Sequence, residues 1–169
     1  MQVTQQEELT WVKPSWRKRE FELRDGEQVI AREAWGRGYR ATADWATLRL
    51  RLDTHGWLKR HTVIMRDDGA PAGDYAHRQG TLTLADGQVF RWQRPEKRSR
   101  DRVWLDAAGN RLVRLHPARG GTTVRPEQSA TPPELPLLIV VGHYLLALAQ
   151  QDEEAATVGA IVAVMGGAS

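Results

Sequence analysis

The feature that most constrains this fold is an uncharged segment near the C-terminus that is apolar on every face. Leu135 to Ala149 contains no charged residue, and the next charge is Asp152. Pro136 suits the first turn of a helix, where its missing N–H has no helical partner to lose. A helix without a polar face must be covered on all sides, either by protein or by lipid. We therefore predict a covered helix over about 136–150.

The length of this segment favours protein over lipid as its cover. A spanning helix needs about 20 apolar residues, whereas an apolar segment of about 10–14 residues is more often a core helix. The segment Leu135–Ala149 has 15 residues, Gly142 and His143 among them. A second uncharged stretch, 155–169, is also short, so we expect no integral membrane span. For this apolar tail, packing under a barrel rim, dimerisation and membrane contact remain open.

The preceding 126 residues have the pattern of short β-strands. Turn dipeptides such as Asp25-Gly26, Asp86-Gly87 and Gly109-Asn110 separate alternating runs, and they accept the positive φ of tight hairpins. In Ala46–Asp53, leucines alternate with arginines, as in a strand with one buried face. We count about twelve strands over 9–126, the first near Leu9–Val12 and a weak last one near Thr122–Arg125. A linker over 127–135 then leads to the helix.

These two parts predict one mainly β domain over 1–169. The expected fold is a closed antiparallel barrel of about twelve strands around a central hydrophobic C-terminal helix. Closure removes exposed strand edges. A barrel of about twelve strands is too wide for its own side chains to fill, so an apolar helix is a suitable plug. Its burial would be favourable by about 25 cal/mol per Å² of apolar surface.

The chain resembles the tubby C-terminal-like superfamily, which includes LURP-one-related proteins and phospholipid scramblases. The residues that carry the resemblance are Gly87-Gln-Val-Phe-Arg-Trp92, Val103 to Leu112, and the helix Pro136 to Leu146. It covers roughly Leu9 to Gln150 and is one of architecture. It implies a twelve-stranded barrel around a hydrophobic helix, and a basic pocket for phosphoinositide headgroups in tubby domains. The residues of that pocket do not align individually with this chain.

Composition removes several classes of chemistry. The chain has no cysteine, which excludes disulfides, thiol catalysis and Cys-ligated metals. Its five histidines include no i, i+4 pair of a helical zinc site, and no serine lies in a GxSxG motif. We predict no catalytic residue, no metal and no cofactor, and favour a non-enzymatic protein. His143, inside the apolar helix, is predicted to be a hydrogen-bonded core residue.

A basic hairpin is the strongest candidate site. Residues 88–126 hold ten basic and three acidic side chains, although the whole chain is only +3. Within 91–102 there are six basic and two acidic residues, flanked by Trp92 and Trp104. Arginine binds phosphate through two parallel hydrogen bonds. The predicted ligand-binding residues for phosphate or anionic lipid are Arg91, Arg94, Lys97, Arg98, Arg100 and Arg102.

Several functions remain open at this stage. The first is docking on an anionic phospholipid surface, or on another phosphate-bearing ligand, through this hairpin. Alternatives are nucleic-acid binding by the same patch, an enzyme built on the barrel rim, and a purely structural or interaction protein. If the hairpin has no binding role, it is a solvated turn in which Glu96 and Asp101 form ion pairs with nearby cations. The N-terminal residues lack a signal-peptide pattern, so we expect a cytoplasmic protein, peripheral to the inner face of the membrane.

Overall fold

A computed structural model describes residues 8–127 and 132–167. Twelve β-strands precede one long α-helix. The elements are β1 Leu9–Val12, β2 Glu20–Asp25, β3 Gln28–Trp35, β4 Arg40–Trp45, β5 Leu48–His55, β6 His61–Arg66, β7 Pro71–Ala76, β8 Thr81–Leu84, β9 Val89–Gln93, β10 Arg102–Leu105, β11 Arg111–Ala118, β12 Gly121–Pro126 and α1 Leu135–Gly166.

The strands form a closed antiparallel barrel. Each strand pairs with the next one along the chain, and β1 closes the barrel against β12 through pairs such as Leu9 with Val124. The turn glycines anticipated in the sequence have positive φ, for example 56° at Gly26 and 91° at Gly87. The predicted fold class is therefore confirmed, and the first and last strands lie where the sequence pattern placed them.

Strand alternation directs the apolar side chains into the barrel. In β5, Leu50 and Leu52 are buried, whereas Arg49 and Arg51 point outward and are exposed. Because successive side chains of a strand face opposite sides, each strand contributes one row to the interior. Trp11, Trp104 and most of the other buried side chains form a single core cluster with the helix.

The helix α1 fills the barrel as a plug. Nine consecutive residues, 137–145, are buried, so the helix is enclosed on every side over that length. Trp104 is fully buried and donates a hydrogen bond from Nε1 to the carbonyl oxygen of Leu138, at 2.7 Å. It also packs against the ring of Trp92, with 4.7 Å between centroids. Both tryptophans next to the basic hairpin are thus used mainly in packing.

Polar groups inside the barrel also hold the plug. His143 is buried, and its Nδ1 lies 3.1 Å from a carboxylate oxygen of Glu33, which is itself 0% exposed. The other oxygen of Glu33 accepts a hydrogen bond from Trp35 Nε1 at 2.8 Å. The ring of His143 stacks on Trp11 at 4.4 Å. The prediction of a hydrogen-bonded core histidine is confirmed.

A chain of hydroxyl groups fixes a second turn of the plug. Tyr144 donates its hydroxyl hydrogen to the carbonyl oxygen of Tyr39, so it accepts from Thr54 at 2.7 Å. Thr54 in turn accepts from Thr62, and Thr62 accepts from Nε2 of His77, each at 2.7 Å. A hydroxyl carries only one hydrogen, so these directions follow from the first bond. The hydrogen of neutral His77 is therefore on Nε2.

The helix is longer than the predicted span of about 136–150. It continues without a break to Gly166, through Gln150–Glu154 and the small residues beyond. The reason is local, since Gln, Glu and Ala are strong helix formers and no proline follows Pro136 in the helix. From residue 153 onward every described residue of the helix is exposed. The helix thus has a buried half and a projecting half.

The whole helix is long and apolar enough to cross a membrane by length and composition. However, 61% of its most apolar 18-residue stretch is buried inside the barrel. The barrel therefore covers most of this 18-residue stretch, although the C-terminal half of the helix is exposed.

Candidate functional site

The up-and-down order of the strands sorts the loops between the two ends of the barrel. The helix begins at one end, where Glu134 accepts a hydrogen bond from Gln88, and emerges at the other. We call the second end the helix-exit end. It is formed by the odd-to-even strand connections, which are residues 13–19, 36–39, 56–60, 77–80, 94–101 and 119–120.

The two ends carry opposite charge. The six connections of the helix-exit end contain 13 basic and two acidic residues. The five turns at the opposite end, 26–27, 46–47, 67–70, 85–88 and 106–110, contain five acidic residues and no basic one. The helix adds Asp152, Glu153 and Glu154 near the helix-exit end. A net positive end thus faces away from a negative one, although the net charge of the whole chain is only +3.

Specific contacts hold the helix where it leaves the barrel. Asp152 accepts hydrogen bonds from Arg60 Nη1 at 2.7 Å and from the Tyr39 hydroxyl at 3.2 Å. Gln151 accepts from Arg19 at 2.6 Å. The guanidinium of Arg60 also lies over the ring of Tyr39, at 5.1 Å. Three different loops therefore grip the helix and fix the direction in which its projecting half points.

The predicted ligand-binding residues divide between loop and wall. Arg94, Lys97, Arg98 and Arg100 lie in the loop 94–101 and are exposed. Arg91 points outward from the middle of β9, and Arg102 opens β10 in a partly buried position. Four of the six residues thus belong to the helix-exit end, whereas Arg91 lies on the barrel wall.

The acidic residues of this hairpin do not neutralise its loop cations. Asp101 is directed toward β11, where it contacts Arg114 at 3.2 Å and His116. Glu96 makes no ion pair with any described residue. Of the 13 basic residues at the helix-exit end, Arg60 alone pairs with a carboxylate among the described residues. If the hairpin were only a solvated turn, Glu96 and Asp101 would form ion pairs with the cations of the loop. Such pairs are not found among the described residues.

Two other basic clusters join the hairpin at the same end. The cluster Lys13–Arg19 forms the β1–β2 connection, and Lys59-Arg60-His61 ends the β5–β6 connection. The sequence left open whether these clusters lie near 91–102 or far from it. All three lie at the same end because each connects an odd strand to the following even strand of one closed meander.

Exposed apolar side chains gather at this end too, and sequence reasoning missed them. Trp57 is 92% exposed, Leu58 82% and Trp16 81%. Of the ten exposed large hydrophobic residues in the described chain, nine lie on these connections or on the projecting helix, and Val89 lies elsewhere. A signal existed, because Trp16 lies within the basic run Lys13–Arg19 and Trp57 lies two residues before Lys59. Clustered exposed apolar residues mark an interaction surface.

Burial perturbs three titratable groups behind this end. Burial first, and the nearby cation of Arg60 second, lower the pKa of His77 to about 4. Burial also raises the pKa of Tyr75 to about 12. The pKa of Arg102 is lowered by burial first and by Arg94 second. His77 is therefore neutral near pH 7, in agreement with its position in the hydroxyl chain.

The outer wall carries a groove of about 600 Å³ that bears on the enzymatic alternative. Its floor is apolar, with Val63 and Met65 among the lining residues. Its polar groups pair with one another, since Asp53 lies 3.0 Å from Arg40 and 3.3 Å from His55. Among residues 8–127 and 132–167, no three histidine or acidic side chains are grouped to hold a metal ion. The groove is therefore a concave surface in which Asp53 already contacts Arg40 and His55.

No protein-family model, curated protein or solved structure matches this chain. The resemblance to tubby-like proteins therefore stays a prediction that rests on architecture, and the site has to be interpreted from its own geometry.

Proposed function

We propose that this protein is a non-enzymatic peripheral membrane protein that docks on anionic phospholipid through the helix-exit end. The observation that carries the proposal is the position of three basic clusters at one end of the barrel, where 12 of the 13 cations form no ion pair with a described carboxylate. A basic residue close to an anionic bilayer contributes about 1 kcal/mol to binding. The acidic turns lie at the far end, where repulsion from the lipid is weakest.

The exposed tryptophans suit the same partner. Indole rings favour the membrane–water interface, since they have an apolar body and one polar N–H. Trp16 and Trp57 project from two of the basic loops, and the guanidinium of Arg17 lies 5.1 Å from the ring of Trp16. Cations would bind headgroup phosphates while the rings enter the interface.

Nucleic acid would find the same cations, and exposed aromatic rings could stack on bases. The position of the helix favours lipid, because α1 leaves the barrel through the middle of the basic loops. Its projecting half exposes Val158, Ile161 and Val162. A polyanion bound to the loops would leave this apolar surface in water, whereas a bilayer would cover it.

Vesicle flotation tests this proposal. Wild-type protein should float with phosphatidylcholine vesicles containing phosphatidylserine, and not with phosphatidylcholine alone. Replacing Arg94, Lys97, Arg98 and Arg100 by alanine should weaken this binding by between tenfold and roughly a thousandfold.

A matched control removes the same charge elsewhere. The exposed residues Arg49, Arg51, Arg66 and Arg111 lie on the wall or near the opposite end, and their replacement by alanine should leave vesicle binding nearly unchanged. Equal binding by the two quadruple variants would refute docking through the loop 94–101. A mobility shift with oligonucleotides but no flotation would favour nucleic-acid binding instead.

A further inference from the structure

The projecting half of α1 has no cover in the described chain. Residues 153–166 are all exposed, and 155–166 contain no charged side chain. Val158, Ile161, Val162, Val164 and Met165 are between 54% and 78% exposed. An isolated helix of this length is marginal in water, so its stability calls for a partner that covers apolar surface.

We propose that residues 155–166 insert into one leaflet of the membrane and anchor the barrel there. This inference rests on the proposed docking of the helix-exit end on anionic lipid. The 12 residues span about 18 Å at about 1.5 Å per residue. The hydrocarbon core is about 30 Å thick, so this segment crosses about one leaflet and does not span the core.

Charge placement sets the depth of insertion. Asp152 is tied to Arg60 at the barrel mouth, and the exposed Glu153 and Glu154 follow immediately. Carboxylates resist entry into hydrocarbon, whereas the basic loops attract headgroup phosphates to the same level. The apolar segment begins one residue beyond Glu154, so the boundary of hydrocarbon would fall near Ala155.

A second copy of the chain is the main competitor for this surface. Two projecting helices that pair in parallel would bring the 13 cations of each barrel side by side, and end-to-end pairing would bring them face to face. Like charges that meet without counterions disfavour either arrangement. An anionic bilayer instead supplies opposite charge around the helix and an apolar phase at its tip.

Single-cysteine labelling tests the insertion directly, since the chain has no native cysteine. An environment-sensitive dye on Val158→Cys, Val162→Cys or Met165→Cys should shift to the blue with phosphatidylserine-containing vesicles. Positions 158 and 165 lie about 10 Å apart along the helix. Nitroxides deep in the acyl chains should therefore quench the dye at 165 more than the dye at 158. The control Ala107→Cys, in an exposed turn of the opposite end, should show neither effect.

A second variant separates insertion from electrostatic docking. Ile161→Asp with Val164→Asp changes exposed residues of the projecting half of the helix, so the fold should be preserved. In about 1 M salt, where screening is strong, wild type should retain vesicle binding and this variant should bind about tenfold more weakly or worse.

The outcomes distinguish the two proposals. If all labels stay in water while the protein floats with vesicles in low salt, insertion is refuted and docking stands. If the blue shift appears without lipid, rises with protein concentration and accompanies a doubled mass, a second copy covers the helix and insertion is refuted. If nothing floats, both proposals fall.

Discussion

Replacing Gly142 by alanine should destabilise the barrel, although alanine is the better helix former. A Cβ at this position would lie 2.9 Å from Trp104 Nε1 and 3.0 Å from the ring of Trp92. Trp104 is fully buried and bonded to Leu138, so it cannot retreat without weakening that hydrogen bond. Overpacking costs about 1–3 kcal/mol, and the gain in helix propensity is at most about 1 kcal/mol. Close contacts with two large indole rings place the cost in the upper part of that range, about 2–3 kcal/mol, which leaves a net expected loss of about 1–2 kcal/mol.

Thermal unfolding followed by circular dichroism measures this effect. For a domain of this size, the expected loss lowers Tm by about 2–8 °C. Gly159→Ala is the matched control on the same helix, because a Cβ there meets nothing within 4 Å. This variant should not be destabilised, and its gain from helix propensity should be at most about 1 kcal/mol. If Gly142→Ala is as stable as wild type or more stable, the helix is not packed against Trp104 inside the barrel.

Two further predictions concern polar groups in and behind the core. Glu33→Leu removes the buried carboxylate that accepts a hydrogen bond from Trp35 Nε1 and contacts His143 Nδ1. Because two buried polar groups then lack a partner, the free energy of unfolding should fall by about 2–6 kcal/mol in urea titrations. A loss below about 1 kcal/mol would contradict this role. The pKa of His77 is lowered to about 4 in the folded state, from an ordinary value of 6.5. Its contribution to stability is therefore complete above pH 6.5 and is lost as the pH falls toward 4. The stability of His77→Gln, measured as the free energy of unfolding against pH, should lack that part of the pH dependence. Identical profiles for wild type and this variant would show that the pKa of His77 is not lowered in the folded state.

Much of the fold was predictable because it follows from local patterns. The alternation of Leu48–Asp53 defines a one-sided strand, and turn dipeptides such as Asp86-Gly87 mark where strands reverse. The apolar segment around Val140 had to be covered, and a wide barrel needs a filler. These requirements agree with one another, so strand number, closure and the central helix could be inferred together.

The candidate site was predictable only in part, because it depends on which loops meet. The cations of 94–101 stand out in the sequence, but their position at the same end as Lys13 and Lys59 follows from the up-and-down order of the strands. Glu33 was not identified as a core residue, because carboxylates are seldom buried, yet it is buried and contacts His143. The helix also extends beyond its predicted end near residue 150. The polar residues Gln150–Glu154 suggested that the helix ends there, but Gln and Glu are good helix formers.

Docking of the helix-exit end on anionic lipid can be tested by mapping which end of the barrel contacts the bilayer. Nuclear magnetic resonance with nitroxide-labelled headgroups in anionic nanodiscs broadens the amide signals that lie near the bilayer surface. We expect broadening in the loops 13–19, 56–60 and 94–101 and in the helix around residue 155, with the turns 67–70 and 106–110 unaffected. Broadening centred on those turns or on the barrel wall, or none at all, would contradict this docking.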